Sequence, residues 1–528
     1  MTHSWNRRAF LQFMGQSAPA LWLGEKAFAK GPAITGIAPQ KQDQLVLASS
    51  LSYEVLLKAG DPLPGSDTPF GSDNDFIGIA GYQGGATPSL TMWVNHENVH
   101  PEFWFENMGK TGNKGKHTAQ QFQSLRQAVG GSLLNLEQIA GKWSLRSQAR
   151  QRRIHGESEI PFAYGVKVGG KSTCMGTLAN CAGGVTPWGT FLSGEENFQD
   201  FYGDYLRGPD GKWQLDTADA YHQWQLHDAQ DPYQYGWIVE IHPETGVAQK
   251  HLNLGRFRHE GATTGVAKDG RVVVYMGEDR DQGCIFKFVS ESSDSLAKGT
   301  LYVANLGLRQ WLPVDWQKNE QLKSQYRDQA DVLLHAAEAA TYAGGTPLER
   351  PEDIAIQPSS GDVFISMTNS PSRGNLYGYI LKIRESGGDA GALTFTHDVF
   401  LTGGKSGLAC PDNLKFDPHG NLWVTTDMSE KVMNRGAYEP FQNNGLFLIP
   451  MHGPQSGLPI QVASAPTDAE LTGPCFTPDG LTLFLSVQHP GLSSSPQGKL
   501  SSHWPTGNLP KSSVVAIQGA GLQALSRG

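Results

Sequence analysis

Residues 412–427 read DNLKFDPHGNLWVTTD. Alternating apolar and polar residues flank a D-P-H-G-N turn, which is hairpin chemistry. Proline and glycine suit the turn backbone, aspartate offers a side-chain acceptor, and the flanks carry the two-residue period of a strand. The unit recurs as GWIVEIHPETGVAQKHLNL (236–254), DIAIQPSSGDVFISMT (353–368) and PCFTPDGLTLFLSVQHPG (474–491). Looser copies cover 76–97, 186–198 and 271–288. Hairpins repeated at intervals of several tens of residues predict an all-β fold, a β-propeller. Five to seven blades fit the chain, and six is the number expected. Two stretches break the pattern and are expected to be helical insertions, near 118–153 and 316–343. The propeller and its insertions are expected to form a single domain over 30–528.

Composition agrees with a chain of many tight turns: 528 residues hold 63 glycines, 31 prolines and 13 tryptophans. Mean hydropathy is -0.37, in the range of a folded soluble chain rather than a disordered one. A net charge of -9 argues against a nucleic-acid partner, since little would neutralise a phosphate backbone.

The N-terminus reads SWNRRAFLQFMGQSAPALWLGEKAFAK (4–30). Arg7 and Arg8 precede a short apolar run that ends at Ala27-Phe28-Ala29. Residues 1–29 are therefore expected to be a twin-arginine export signal with an A-x-A cleavage site. The run is too short for a stable membrane anchor, which takes about 20 apolar residues. The expected partner is the twin-arginine export machinery and the expected location periplasmic or secreted. Five cysteines (Cys174, Cys181, Cys284, Cys410, Cys475) are an odd number, so at least one thiol in the monomer is free.

Acidic groups recur beside apolar strands: Asn95-His96-Glu97, Glu195-Glu196-Asn197, His259-Glu260, Glu278-Asp279, Glu352-Asp353 and Asp412-Asn413. Each alone reads as a strand-end turn or a solvated loop. Gathered at one mouth of a propeller, they would repel one another unless cations lay between them. Cys181 lies upstream of the Glu195-Glu196 pair in CAGGVTPWGTFLSGEENF (181–198), and it is either a buried core thiol or a metal ligand. No G-x-S-x-G elbow and no EF-hand loop occurs, P-loop chemistry is not expected, and WVNHENVH (93–100) is not read as a zinc site.

Taken together, WVNHEN, CAGGVTPWGTFLSGEENF, HEGA, YMGEDR, RPEDIAI, PDNLKFDPHGNLWVTTD and FTPDGLTLFLSVQHPG resemble the PhoX-type alkaline phosphatases in content and order, from about Trp93 to Gly491. The Cys…TPWGT…EEN and R-P-E-D blocks are the specific ones. The resemblance implies a six-bladed propeller with an iron (Fe3+) and calcium (Ca2+) cluster. It implies hydrolysis of small phosphomonoesters by an oxygen nucleophile that the metals activate. It makes Cys181 the iron-ligating thiolate, and Glu260 and Glu352 carboxylates of the cluster. It adds Glu195, Glu196 and Asn197 as further metal contacts, with Glu97, Glu278 and Asp279 of the same kind, and Arg350 as the grip on the substrate phosphate. A disulfide between Cys174 and Cys181 would remove the thiolate. Two rivals stand beside this reading: a calcium-dependent lactonase-like propeller, needing fewer acids and no cysteine, and a non-catalytic periplasmic binding propeller.

Overall fold

The computed structural model describes residues 34–105, 117–218, 220–494 and 498–526. The export signal expected over 1–29 lies outside them. Six antiparallel sheets form the blades, and their innermost strands are Asn74–Gln83, Asn180–Val185, His259–Val266, Pro351–Ile356, Pro411–Phe416 and Glu470–Phe476. Each innermost strand packs on the next, and the last packs back on the first. This is the six-bladed propeller the hairpin repeats predicted. Ile34–Gly528 forms one compact unit. Among the described residues no helix is long and apolar enough to cross a membrane.

The period of two explains the packing. In the strand Val272–Glu278, Val272, Val274 and Met276 face one neighbouring blade, while Val273 and Tyr275 face the other. Separate apolar clusters of this kind fill the gaps between adjacent blades around the whole ring. The strands are covered on both sides, so they read as more continuously apolar than a half-exposed sheet would. Turn chemistry fixes the register. At the 412–427 hairpin, Asp417 accepts from the backbone N–H groups of His419 and Asn421 and from the Trp423 indole, each at 2.9 Å.

The ring is closed by the N-terminal part of the chain. Ser52–Lys58 pairs with Ser513–Gln518 as the outer strand of the last blade. Val46–Leu47 pairs with Ala463 and Ser464 at the edge of the blade before it.

The helical expectation for 118–153 is corrected. Only Ala119–Ala128 is helical, opened by a capping box between Thr118 and Gln121. Gly130–Ile139, Lys142–Leu145 and Arg152–Ile154 are strands of the first blade. Its residues alternate across the sheet, Leu134 and Leu136 into one inter-blade core and Leu133 into the other. Gly131 lets the ring of Trp93 lie against the backbone, since a Cβ there would stand 2.0 Å from it. The 316–343 stretch forms three short helices, Glu320–Gln325, Gln329–Leu334 and Ala336–Tyr342, the first two capped by Asn319 and Asp328.

Blades approach closely at Gly277, in the second strand of its blade, where a Cβ would lie 2.2 Å from the Glu352 carbonyl and 2.5 Å from that of Pro351. Gly277→Ala must push Val272–Glu278 away from Pro351–Ile356, the innermost strand of the next blade. A destabilisation of about 2–3 kcal/mol is expected by urea unfolding; a change within about 0.5 kcal/mol would show that the blades slide freely.

Candidate metal centre

In every blade two residues of the innermost strand lie opposite a single residue of its neighbour. These bulges fall at Asp75–Phe76, Cys181–Ala182, Gly261–Ala262, Glu352–Asp353, Asp412–Asn413 and Gly473–Pro474. A bulge bends its strand and re-aims the side chains beside it. Four of these strands are entered through a non-glycine residue of positive φ: Asp73 (40°), Ala179 (51°), Arg350 (55°) and Cys410 (54°). Left-handed backbone at such residues is strained and needs surrounding structure to hold it. Because strands one and two of a blade are antiparallel, the start of one lies beside the end of the other. One mouth thus collects Asp75, Cys181, Glu260, Glu352, Asp412 and Glu470 from strand starts. It also collects Glu97, Glu196, Asp279, Asp427 and His489 from the first positions beyond strand ends.

Three overlapping groups form inside this ring: Asp75, Glu97 and Cys181; Cys181, Glu196 and Glu260; Glu260, Glu352 and Asp412. Within each group the potential ligand atoms lie within 4.8 Å of one another. The Cys181 Sγ stands 3.2 Å from Asp75 Oδ2 and 3.3 Å from Glu260 Oε1. All five cysteines are buried and free, so no disulfide removes this thiol. Asn95 fixes its backbone, donating to the carbonyl of Cys181 at 2.5 Å and to that of Ala182 at 3.2 Å. The Asn95 carbonyl oxygen in turn accepts from Trp93 Nε1 at 2.6 Å and Ser193 Oγ at 2.7 Å.

Two like charges at such spacing repel by roughly 3 kcal/mol at an effective dielectric near 20. Burial, then the charges of Asp353 for one and Asp75 and Asp73 for the other, pushes Asp75 up to about 7 and Glu97 to about 8. Burial and neighbouring acids push Glu196, Glu260, Asp412 and Glu470 well above the carboxylate range. Burial drives Glu352 the same way despite the opposing charge of Arg350. The Cys181 thiol is raised by burial and then by Asp75 and Glu260. Asp75 Oδ1 and Glu196 Oε1 are buried without a hydrogen-bond partner. Carboxylates and a thiolate that crowd together, with orphaned oxygens between them, fit cations: hard oxygens suit calcium and ferric iron, and the thiolate suits iron.

Of the residues singled out from sequence, the structure brings Cys181, Glu260, Glu352, Glu196 and Glu97 together, with Asn197 hydrogen-bonded to Glu196. Glu195 is not brought there. It ends a strand, so it faces the opposite way from Glu196. It pairs with the fully buried Lys250 at 2.7 Å and accepts from the N–H groups of Leu178, Gly236 and Trp237. Glu278 is likewise turned aside, to Arg280 at 2.6 Å and the Cys284 N–H at 3.1 Å. Asp279 holds Arg350 in a two-bond clamp, 2.9 Å on each arm. Arg350 also meets Glu352 at 2.8 Å and Asp427 at 3.4 Å. Burial works against the Asp427 carboxylate, but Arg350 holds its pKa below the usual range.

Asp75, Asp427, Glu470 and His489 join the ring without having been singled out, and Asp412 joins it after being noted as an acidic pair without a role. Their common signal is position, at the start of a first strand or just past a second. Arg258 sits two residues before Glu260 and is half-buried. Among the described residues it has no carboxylate within ion-pair distance.

Two sequence spacings match known motifs without their structure. His96, Glu97 and His100 do have the H-E-x-x-H spacing, but they leave a strand rather than share a helix face. His96 is held by Asn74 at 2.9 Å and Ser132 at 2.7 Å, and His100 by Asp73 at 2.8 Å. Gly165–Ser172 has the G-x-x-x-x-G-K-S spacing of a phosphate loop. It forms a tight turn in which Val168 and Lys171 exchange two backbone hydrogen bonds, and a strand follows where a phosphate loop would have a helix.

Comparison with known proteins follows this geometry. A family model described as alkaline phosphatase PhoX matches residues 33–491. The solved structure of Pseudomonas fluorescens PhoX in complex with vanadate, a transition-state analogue, superposes with a TM-score of 0.81 at 29% identity, covering 93% of this chain and 98% of that one. A Dyadobacter fermentans protein of unknown function aligns over 89% of this chain and 100% of its own, with a TM-score of 0.41 and 10% identity. No curated protein matches.

Two outcomes are expected from the electrostatics. Asp75 and Glu97 have native pKa values near 7 and 8, against about 4 unfolded. The native state therefore binds more protons in that window, and the metal-free protein should lose stability as pH rises from about 4 to about 8. Calcium added at pH 8 should raise the melting temperature more than at pH 5; a melting curve indifferent to both would contradict a cation site. Glu195→Gln should destabilise by about 3–5 kcal/mol by stranding Lys250 with metal content unchanged, whereas Glu196→Gln should lower metal content with little loss of stability.

Proposed function

The chain belongs to the PhoX alkaline phosphatase family, and from that premise we propose that its propeller mouth hydrolyses phosphomonoesters with an iron–calcium cluster held by Cys181, Asp75, Glu97, Glu196, Glu260, Glu352 and Asp412. The observation that carries this reading is the continuity of buried thiol and carboxylate groups at the mouth of a fold shared with a PhoX that takes vanadate, a transition-state analogue. Iron and calcium, when bound, would supply positive charge to the oxygens of the phosphoryl group as it transfers.

The chain's own residues do the rest. Cys181 and the carboxylates would give up protons to the solvent on binding cations, which would reverse the raised proton affinities that crowding gives them. Asn95, pinned by Trp93 and Ser193, fixes the strand that carries Cys181. Asp279 aims Arg350 and leaves its Nη1 with one weak contact, 3.5 Å from Asp427. That nitrogen is the donor we assign to a phosphate oxygen, because a planar guanidinium can grip phosphate while its other edge stays clamped. Arg258, with no carboxylate within ion-pair distance among the described residues, offers a second positive charge near Glu196. No serine or threonine nucleophile is required. The Arg7-Arg8 signal supports export through the twin-arginine machinery, with the folded protein acting in the periplasm or outside the cell.

Elemental analysis of protein exported from its native host, paired with p-nitrophenyl phosphate hydrolysis before and after chelation, tests the reading directly. Stoichiometric iron and calcium with activity lost on chelation is the expected result, and hydrolysis that survives complete metal removal would overturn it. Cys181→Ala and Glu352→Ala should each lower kcat/KM by more than about a hundredfold and reduce bound iron. Arg350→Ala should raise KM and weaken inhibition by inorganic phosphate, each roughly tenfold or more, as loss of a charged hydrogen bond would.

A further inference from the structure

A cavity of about 340 Å³ opens beside the acidic ring. Its volume is at the lower end of what small-molecule sites occupy, about 300–1,000 Å³. Three consecutive aromatic residues, Phe103, Trp104 and Phe105, line it. The Trp104 indole is fixed by a 2.9 Å hydrogen bond from Nε1 to Ser124 Oγ. Trp104 and Phe105 are backed by the apolar cluster under the helix Ala119–Ala128, while Phe103 lies against the His100 ring. Lys511 lines the same cavity, half-buried. Among the described residues it has no carboxylate within ion-pair distance, in a chain whose net charge is -9. Gly60 lies beside it: a Cβ there would be in ordinary van der Waals contact, 3.5 Å, with the Lys511 ammonium.

The cavity shares its inner wall with the ring. His489 lines it and also places Nε2 3.2 Å from Glu470. Asp73 lines it too, and its carbonyl accepts from the Glu97 N–H at 2.9 Å. A phosphoester whose phosphoryl group sits in the ring therefore has this cavity beside it for its leaving group. The ring can recognise phosphate but says nothing about the alcohol; the aromatic wall and the Lys511 ammonium can. Aromatic faces favour a flat ring, and a half-buried ammonium with no carboxylate in ion-pair distance among the described residues favours an anion.

We propose that this cavity is a leaving-group subsite, and that the preferred substrates are phosphomonoesters whose alcohol portion carries a flat ring bearing an acidic substituent. The proposal rests on the phosphatase reading above. The test compares the metal-loaded full chain with Phe103→Leu, Phe103→Ala and Lys511→Met on three substrates: p-nitrophenyl phosphate, 4-carboxyphenyl phosphate and glycerol 2-phosphate. Comparing each variant with wild type on the same substrate cancels differences in intrinsic reactivity. Both Phe103 variants should raise KM for the two aryl esters by about tenfold and leave glycerol phosphate within about twofold. Lys511→Met should raise KM about fivefold for the carboxylated ester alone. Equal effects on all three substrates, or no effect on any, would overturn the subsite while leaving the phosphatase intact. Wild-type protein that is loaded with metal and hydrolyses none of the three would overturn the phosphatase reading itself, and the subsite with it.

Discussion

Like-charge repulsion at the propeller mouth is the constraint around which the molecule is organised. Carboxylates from every blade converge on a region where Asp75, Glu196 and Glu260 are all buried. Nothing in their own chemistry would bring them there. They are held by structure built for another reason, the apolar cores that lock each blade to the next. The ring therefore stands as a scaffold under tension, with cations the natural relief. Where cations are not meant to go, the chain supplies its own positive charge. Lys250 answers Glu195 and Arg280 answers Glu278, and these two acids stand apart from those left to crowd one another. Arg350 meets Asp279, Asp427 and Glu352 within the mouth itself.

Backbone geometry translates the cores into the site. The bulge in each innermost strand and the left-handed residues before four of them turn the strand starts toward the axis. Gly277 lets the neighbouring backbone carry Glu352 close to its own blade. Pro351 and Pro411 begin their strands without an N–H to satisfy, which suits an entry from a strained turn. Packing thus sets side-chain direction at the mouth to within the tolerance that ligand atoms 4.8 Å apart imply.

Much of this was legible in the sequence and some was not, for physical reasons. The D-P-H-G-N turn and its relatives announce hairpins because turn chemistry is local, and the seven units fall in six blades, 186–198 and 236–254 sharing one. The stretch 130–139 hid its strand because glutamine, leucine and glutamate serve helices as well, and only the packing of Trp93 over Gly131 reveals the alternation. Cys181, Glu260 and Glu352 were visible through the blocks that resemble PhoX phosphatases. Glu195 and Glu196 could not be told apart in sequence, though a strand sends neighbours to opposite faces. Asp75, Asp427 and Glu470 belong to no adjacent acidic pair, and only their common place at strand ends marks them. The spacings at 96–100 and 165–172 teach the converse: a motif without its helix loses its chemistry.

The outer strand of the last blade, Ser52–Lys58, leaves the ribosome long before its partner Ser513–Gln518 exists. At roughly 5–20 residues per second the wait is on the order of a minute. Until then the last blade, which carries Glu470, lacks its outer strand, and the propeller stays open on that side. Closure of the ring is thus among the last events of biosynthesis, and the mouth takes its final outline only in a finished molecule.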